Sequence, residues 1–314
     1  MDLTIGLVNF NTKEYLPDCL ESIFHPPSRF QIEVVLVDNA SSDGSVQWVR
    51  ANYPQVGIIE NKRNVGVARG NNQTIQAAQG RYVFLLNTDT IVLPGAIDRQ
   101  IEFLDQHPEA GAVGGKLIFE DRSFQSSYGS FPTLWTEFLG VSRLGALGNP
   151  HFPSNPDCDE IRSVDWISSA SLVIRKSAVE QVGMIDENYF IYGDETDLQF
   201  RLHRAGWSIY FLPQVKTVHF GGRSLDRWRR RRLVYRGKIL YFHKNMGHFQ
   251  ANILRLMCVV ITGLKMVFWS LIFIWPHSRN RTRVELRSNA DILKLCLQRY
   301  NETLYEFLPT FQSA

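Results

Sequence analysis

The sequence predicts an α/β protein: a mixed, mainly parallel sheet flanked by helices, with a helical segment appended at the C-terminus. Three observations predict it. Short apolar runs alternate with longer stretches of helical pattern through the first third of the chain. Each of those runs ends abruptly in a polar cluster, and beyond residue 226 the composition turns basic and then strongly apolar. Strand-helix alternation of this kind builds a sheet covered on both faces.

In order, the expected strands are Leu3 to Phe10, Glu33 to Val37, Val56 to Ile59 and Arg81 to Leu86. Lys13 to Phe24, Ser45 to Tyr53 and Val67 to Gln79 read as the intervening helices. Ligands of open α/β sheets bind at the carboxyl ends of strands, which makes four clusters the candidate site: Asn9-Phe10-Asn11, Asp38 to Gly44, Asn61 to Asn64, and Asn87-Thr88-Asp89. Pro94-Gly95 signals a helix start. Asp121 to Glu160, rich in Gly, Pro and Ser, is expected to be an irregular substrate loop. Order resumes at Val164 to Arg175. In "GDETDLQFRLHRAG", Leu198, Leu202 and Ala205 share a helical face and Gly206 suits the C-cap. Ser208 to Leu212 and Val215 to Phe220 read as two further strands, and no internal repeat is visible.

With 314 residues, 44% of them hydrophobic, the chain can bury a sizeable core as one large domain or two intimate ones. The net charge of +3 is modest but concentrated in "RWRRRR" at residues 227–232, a solvated run or a surface for a phosphate-rich partner. Cys19, Cys158, Cys258 and Cys296 form no C-x-x-C pair, so zinc and a disulfide framework are disfavoured and a reducing compartment is expected. No secretory signal is expected at Met1, and the sequons at Asn72 and Asn301 are expected to be accidental.

The chemistry-bearing groups follow from residue type. Asp38 heads "DNASSDGS", where it could cap a turn or meet a ligand. In the loop Asn64-Val65-Gly66-Val67-Ala68-Arg69-Gly70, glycines permit close backbone approach, a helix start offers free N–H groups and Arg69 adds a cation, all suited to phosphate. It is neither a P-loop nor a dinucleotide fingerprint. Asp89, one carboxylate at a strand end, can hold a hard divalent cation if a diphosphate supplies the other oxygens. Asp194, Glu195 and Asp197 open a helix, where its dipole favours them; a third carboxylate beside two others raises a pKa and suits a general base. His219, ahead of Gly221-Gly222-Arg223-Ser224, is structural or contacts metal or diphosphate.

As a set, these residues resemble the inverting glycosyltransferases of family 2, whose fold is called GT-A. "VNFN" and "VDNASSDGS" resemble the family's nucleotide-binding strand ends, "NVGVARGNN" its N-x-G-x-A-x-x-x-N loop, and "LLNTDT" its D-x-D region. "GMIDENYFIYGDETDL" resembles the acceptor-side segment and "VHFGGRS" the H-x-x-G-x-S element, so the likeness runs from about Leu3 to about Ser224. The Asn-x-Asp form resembles the rhamnosyltransferase-like branch. The resemblance implies a nucleotide-sugar half at 1–115 and an acceptor-binding and catalytic half at 116–226; beyond it, the basic and apolar composition of 227–314 is expected to form a helical membrane-associating region. The resemblance further implies a dTDP- or UDP-linked donor, bound by Asn9, Asn11, Asp38, Asn64, Gly66, Arg69, Asn87 and Arg223. Mg2+ or Mn2+ would sit on Asp89 and His219, and the acceptor would be lipid-linked or a glycan of the bacterial surface. Two departures stand out. Asn87 replaces the first Asp of D-x-D, and the usual Glu-Asp order is inverted, which makes Glu195 the implied base and Asp194 its companion.

Met257 to Trp275 is apolar, interrupted by Lys265 and flanked by arginines on both sides. It fits a helix lying in the membrane interface, a spanning helix or a buried core helix; the first matches a protein at the cytoplasmic face of the inner membrane. Against the transferase stand a catalytically degenerate sugar-nucleotide-binding partner of a glycan-assembly complex and a nucleotidyl transferase. Nucleic acid is not expected as a partner, since no aromatic platforms interleave the basic tract.

Overall fold

A computed structural model describes residues 1–149, 152, 155–221, 227–272 and 279–298, with only the backbone described at 227–229. Arg223 and Ser224 lie outside the described residues. The first third runs β1 (Leu3–Asn9), α1 (Leu16–Phe24), β2 (Ile32–Asp38), α2 (Ser45–Asn52), β3 (Gly57–Glu60), α3 (Val67–Ala77) and β4 (Tyr82–Asn87). Then come β5 (Thr90–Val92), α4 (Ala96–Gln106), β6 (Ala110–Ile118), β7 (Phe124–Gln125), β8 (Tyr128–Gly129), α5 (Leu134–Ser142), β9 (Arg162–Ser163) and β10 (Trp166–Ile167). The rest is β11 (Ser171–Arg175), α6 (Lys176–Val182), α7 (Asp194–Arg204), β12 (Ser208–His219), α8 (Arg227–Tyr241), α9 (His248–Ile272) and α10 (Arg279–Leu297), with a π-helical stretch at Phe242–Met246.

One ten-stranded sheet has the order β3-β2-β1-β4-β11-β6-β12-β5, with β7 on β6 and β9 on β12. β3, β2, β1 and β4 are parallel; β11 inserts antiparallel between β4 and β6. The apolar runs of β1 and β4 are buried on both faces, as central parallel strands must be. One core lies over Ile5, Leu7, Phe84 and Leu86 beneath α1 and α4; the other lies over Val83, Leu85 and Leu172 beneath α3, α6 and α7. The implied division at 115/116 falls inside β6, so both halves share the sheet. A third apolar cluster joins α5 and α8 to α10.

Several expectations need correction. β6 is buried along its length, yet its sequence, AGAVGGKLI, hides it. A Cβ on Gly115 would lie 2.3 Å from Val215 O, and one on Gly114 2.5 Å from Ile167 Cγ2, so packing selects glycine where propensity would favour a branched residue. Within Asp121–Glu160 the chain forms a helix, α5, started by a capping box between Thr133 and Thr136. The two strands expected at 208–220 are one, β12, which absorbs a register shift between Leu212 and Lys216. Gly206 follows α7 at φ +92° as expected, but Ala205 is exposed rather than on the buried face.

Candidate active site

Register brings the strand tips together. Asn9 pairs with Asp38 across β1 and β2, Val8 with Asn87 across β1 and β4, and His219 with Thr90 across β12 and β5. Asn9 is sealed from solvent, and its amide donates to Asp38 Oδ1 (2.6 Å), Ser45 Oγ (2.8 Å) and Ser41 Oγ (3.0 Å). Its place is therefore behind the loop, holding it, and not against a ligand as the resemblance implied. Asp38 is nearly sealed too, its second oxygen accepting from Ser41 N at 2.9 Å. Asn11, exposed at φ +54°, accepts from Ser42 N through Oδ1 (2.8 Å), so this loop is built by side-chain hydrogen bonds from both strand ends.

Asn64 Oδ1 accepts from Gly66 N (3.0 Å) ahead of α3, and Asn39 Nδ2 donates to Gly66 O (3.2 Å). Gly66 adopts φ +86° and ψ 173°, and Val67 N donates to Phe190 O at 2.7 Å. Asn72, buried on α3, donates to Ile185 O (2.8 Å) and Glu187 Oε1 (3.2 Å) and accepts from Ile185 N (3.0 Å). Arg69 Nε lies 3.7 Å from Glu187 Oε2. α3 thus ties the Asn64–Gly66 loop to the segment 184–193, a role for Asn72 that its position in the loop motif did not disclose. Its burial also leaves no room for a glycan there.

Asp89 and His219 meet as expected: Nε2 of His219 lies 3.4 Å from Asp89 Oδ1 and 3.3 Å from Asn87 Nδ2. Gln125 Oε1 lies 2.6 Å from His219 Nδ1 and can accept a proton carried there, so that Nε2 is the ring nitrogen turned toward Asp89 and Asn87. An imidazole nitrogen beside a carboxylate oxygen is a donor set that fits a divalent cation, and a contact such as that of Gln125 with the other ring nitrogen is the outer support such a ligand uses. Among the described residues no group of three or more His, Cys, Asp or Glu side chains could hold a metal ion. Two protein donors suit a site completed by phosphate oxygens.

At the start of α7 the three carboxylates divide. Asp197 is turned away and fully buried, accepting from Lys244 Nζ (2.9 Å), Asn245 Nδ2 (2.9 Å) and Arg201 Nε (3.0 Å); it is structural and does not crowd the other two. Burial, then the charge of Glu195, pushes the Asp194 carboxyl well above the usual aspartate range. Its Oδ2 is buried among protein atoms with no hydrogen-bond partner of its own. Glu195 is partly exposed and accepts from Gly193 N at 3.2 Å. Tyr192, next to them, has its phenol raised by burial, with Glu195 and Asp89 adding to the effect and Arg230 opposing it. Arg230 of α8 sits 5.6 Å over the Tyr192 ring.

A cavity of about 610 Å³ takes in Asn87, His219, Asp194, Glu195, Tyr192 and Arg230, with Val67 at the α3 start and Trp166 on its apolar side. The strand-tip imidazole and the acidic pair therefore open onto a single space large enough for a sugar. Gln125, Tyr192 and Arg230 escaped the sequence reading. Arg230 lay within a tract read as surface, and nothing in the local pattern marks Gln125.

Fold and site define a class: a GT-A protein whose sheet tips gather polar groups around one cavity. Residues 4–166 match the family model described as glycosyl transferase family 2, and the chain belongs to that family. It is 30% identical over 246 residues to the N-acetylglucosaminyl-diphospho-decaprenol L-rhamnosyltransferase of Mycobacterium tuberculosis, covering 72% of this chain and 78% of the relative. Two solved structures share the fold. The mannosyltransferase PcManGT of Pyrobaculum calidifontis, in complex with GDP-Man and Mn2+, superposes with a TM-score of 0.59 at 15% identity over 95% of this chain and 88% of its own. TarS 1-349 of S. aureus, in complex with UDP, gives 0.53 at 12% identity over 96% and 93%.

Proposed function

We propose that this family 2 glycosyltransferase moves a sugar, L-rhamnose by similarity to the mycobacterial relative, from a dTDP- or UDP-linked donor to a hydroxyl of a lipid-linked or polysaccharide acceptor. The transfer inverts the anomeric centre and serves surface-glycan synthesis at the cytoplasmic face of the inner membrane. The observation that carries the reading is the single cavity onto which both the Asn87–His219 side and the Asp194–Glu195 side open.

Asp89 and His219 would hold Mg2+ or Mn2+, which neutralises charge on the leaving diphosphate. Glu195, the more exposed of the acidic pair, accepts the proton of the acceptor hydroxyl. The hydroxyl oxygen bonds to the anomeric carbon as the bond from that carbon to the phosphate oxygen breaks, and the electron pair departs on the diphosphate. Burial and the Glu195 charge raise the Asp194 carboxyl well above the aspartate range, which disfavours a second negative charge on the Asp194–Glu195 pair. No acid is required, because a nucleoside diphosphate leaves as a stabilised anion, unlike the alkoxide that a glycosidase must protonate.

The test is incubation of the protein with dTDP-rhamnose and a lipid-linked N-acetylglucosaminyl diphosphate, with product read by mass spectrometry and anomeric configuration by NMR. Formation of the inverted product, loss with chelator and its return with Mn2+, and a fall of about 100-fold or more for Glu195→Gln are expected. Full activity of Glu195→Gln would remove the base assignment, and retained configuration would remove the single displacement.

A further inference from the structure

The outer face of α9 is apolar and open. Phe249, Leu256, Val260, Leu264, Val267 and Leu271 are each more than half exposed. At 100° per residue they fall within roughly 80° of the helix circumference, along about 33 Å of its length. The opposite face, Ala251, Leu254, Cys258 and Thr262, is buried against the rest of the protein. Lys265, which interrupts the apolar sequence, turns inward and donates through Nζ to Val141 O. That bond joins α9 to the end of α5, where Leu144 and Leu147 are also exposed.

We propose that this face is a docking surface for an anionic lipid bilayer, with α9 lying along the membrane and not across it. α9 carries no Asp or Glu, so nothing on the stripe repels an acidic headgroup. Arg281, Arg283 and Arg287 are exposed on α10, and Arg281, 5.6 Å over the Trp269 ring on the inner side of α9, is held beside that helix as a cation available to an acidic headgroup. By length and composition α9 could span a bilayer. Its packed side forbids that, because the helices behind it bring Arg231–Glu285 and Lys238–Glu137 ion pairs that would have to enter hydrocarbon with it. A helix with one face on protein and the other bare satisfies both by resting in the interface. α8, which leads into the π-helical stretch ahead of α9, also carries Arg230 at the active-site cavity, so a docked α9 holds that cavity close to the lipid surface.

This deepens the proposed function by resting on its lipid-carried acceptor, but the binding it describes is measurable without turnover. Full-length protein is sedimented with vesicles of phosphatidylcholine alone or with phosphatidylglycerol added. Binding to the anionic vesicles is expected, weakened about tenfold by Leu264→Ser and again by Leu271→Ser. Arg281→Gln with Arg287→Gln should weaken binding by more than tenfold on anionic vesicles, with little change on neutral ones. Spin labels at Phe249→Cys and Leu271→Cys should report one shared depth. Opposite depths would establish a spanning helix and overturn the proposal. So would a dimer abolished by the Leu264 and Leu271 variants in protein that ignores vesicles, which would give the stripe to a second copy. Turnover of a soluble acceptor without vesicle binding overturns this inference alone, whereas vesicle binding with no turnover of any nucleotide sugar overturns the proposed function and leaves the docking face standing.

Discussion

Gly66→Ala tests whether the Asn64–Gly66 loop and the 184–193 segment are one unit. At φ +86° and ψ 173° Gly66 occupies a region essentially closed to other residues, and forcing alanine there costs about 1–3 kcal/mol. The added Cβ would stand 2.6 Å from both Phe190 Cδ2 and Phe190 O, an overlap typical of core overpacking at about 1–3 kcal/mol more. The sum is about 4 kcal/mol. Urea denaturation with linear extrapolation reads it directly as a lower midpoint at unchanged slope. Because one close approach is to the ring and the other to the backbone oxygen, Phe190→Ala in the Gly66→Ala background should recover only part of the loss. In a double-mutant cycle the coupling should be about 1–2 kcal/mol. A loss below about 1 kcal/mol for Gly66→Ala would refute both the backbone assignment and the contact between α3 and the Phe190 segment.

Asp194→Asn should stabilise the protein at neutral pH. The folded carboxyl titrates above its unfolded value of about 3.9, so the parent loses stability as pH rises from there toward the folded value, and the amide does not. The advantage of the variant should therefore shrink as pH falls toward 4 and vanish below it; an advantage independent of pH would count against a buried, protonated Asp194. Asn72→Ala should cost about 2–4 kcal/mol by stranding the buried amide and carbonyl of Ile185, and should quicken proteolysis within 184–193; unchanged cleavage would show that the tether is unimportant. Gln125→Leu should weaken Mn2+ binding in the presence of nucleoside diphosphate by about 10–100-fold in calorimetry, and unchanged affinity would rule out a supporting role for the His219 Nδ1 contact.

The parallel half of the sheet was legible because its strands are continuous apolar runs closed by polar tips; β1, β2 and β4 fall within a residue or so of the expected limits. β6 was not legible, since the residues that let it lie at the centre of the sheet, Gly114 and Gly115, are chosen by contacts with Ile167 and Val215 far along the chain. The candidate site divides similarly. Asp89, His219, Asp194 and Glu195 stand out by side-chain type, and the structure sets Asp89 beside His219 and the Asp194–Glu195 pair on the cavity that His219 lines. Asn9 looked like a ligand contact because it ends a strand, and only its burial and its hydrogen bonds to Asp38, Ser41, Ser45 and Thr12 show it holding the loop from behind. Cys258 and Cys296, distant in sequence, share one cluster as free buried thiols, a proximity that spacing does not encode.

The first turn of α7 shows how adjacent carboxylates acquire different work. Residues 194 and 195 meet the cavity, whereas residue 197, about 200° further round the helix from Glu195, faces the interior and the π-helical stretch. There Asp197 is shared by Lys244, Asn245 and Arg201, and Lys244 also reaches Asp186 Oδ2 at 2.8 Å. Removing one partner from such a buried pair leaves an uncompensated charge and costs about 3–5 kcal/mol. One helical turn therefore joins the acidic pair at the cavity to the segment that leads into α9. Asp197, three residues from Asp194, thus ties the helix that carries the proposed base to the segment that leads into the proposed membrane-docking helix.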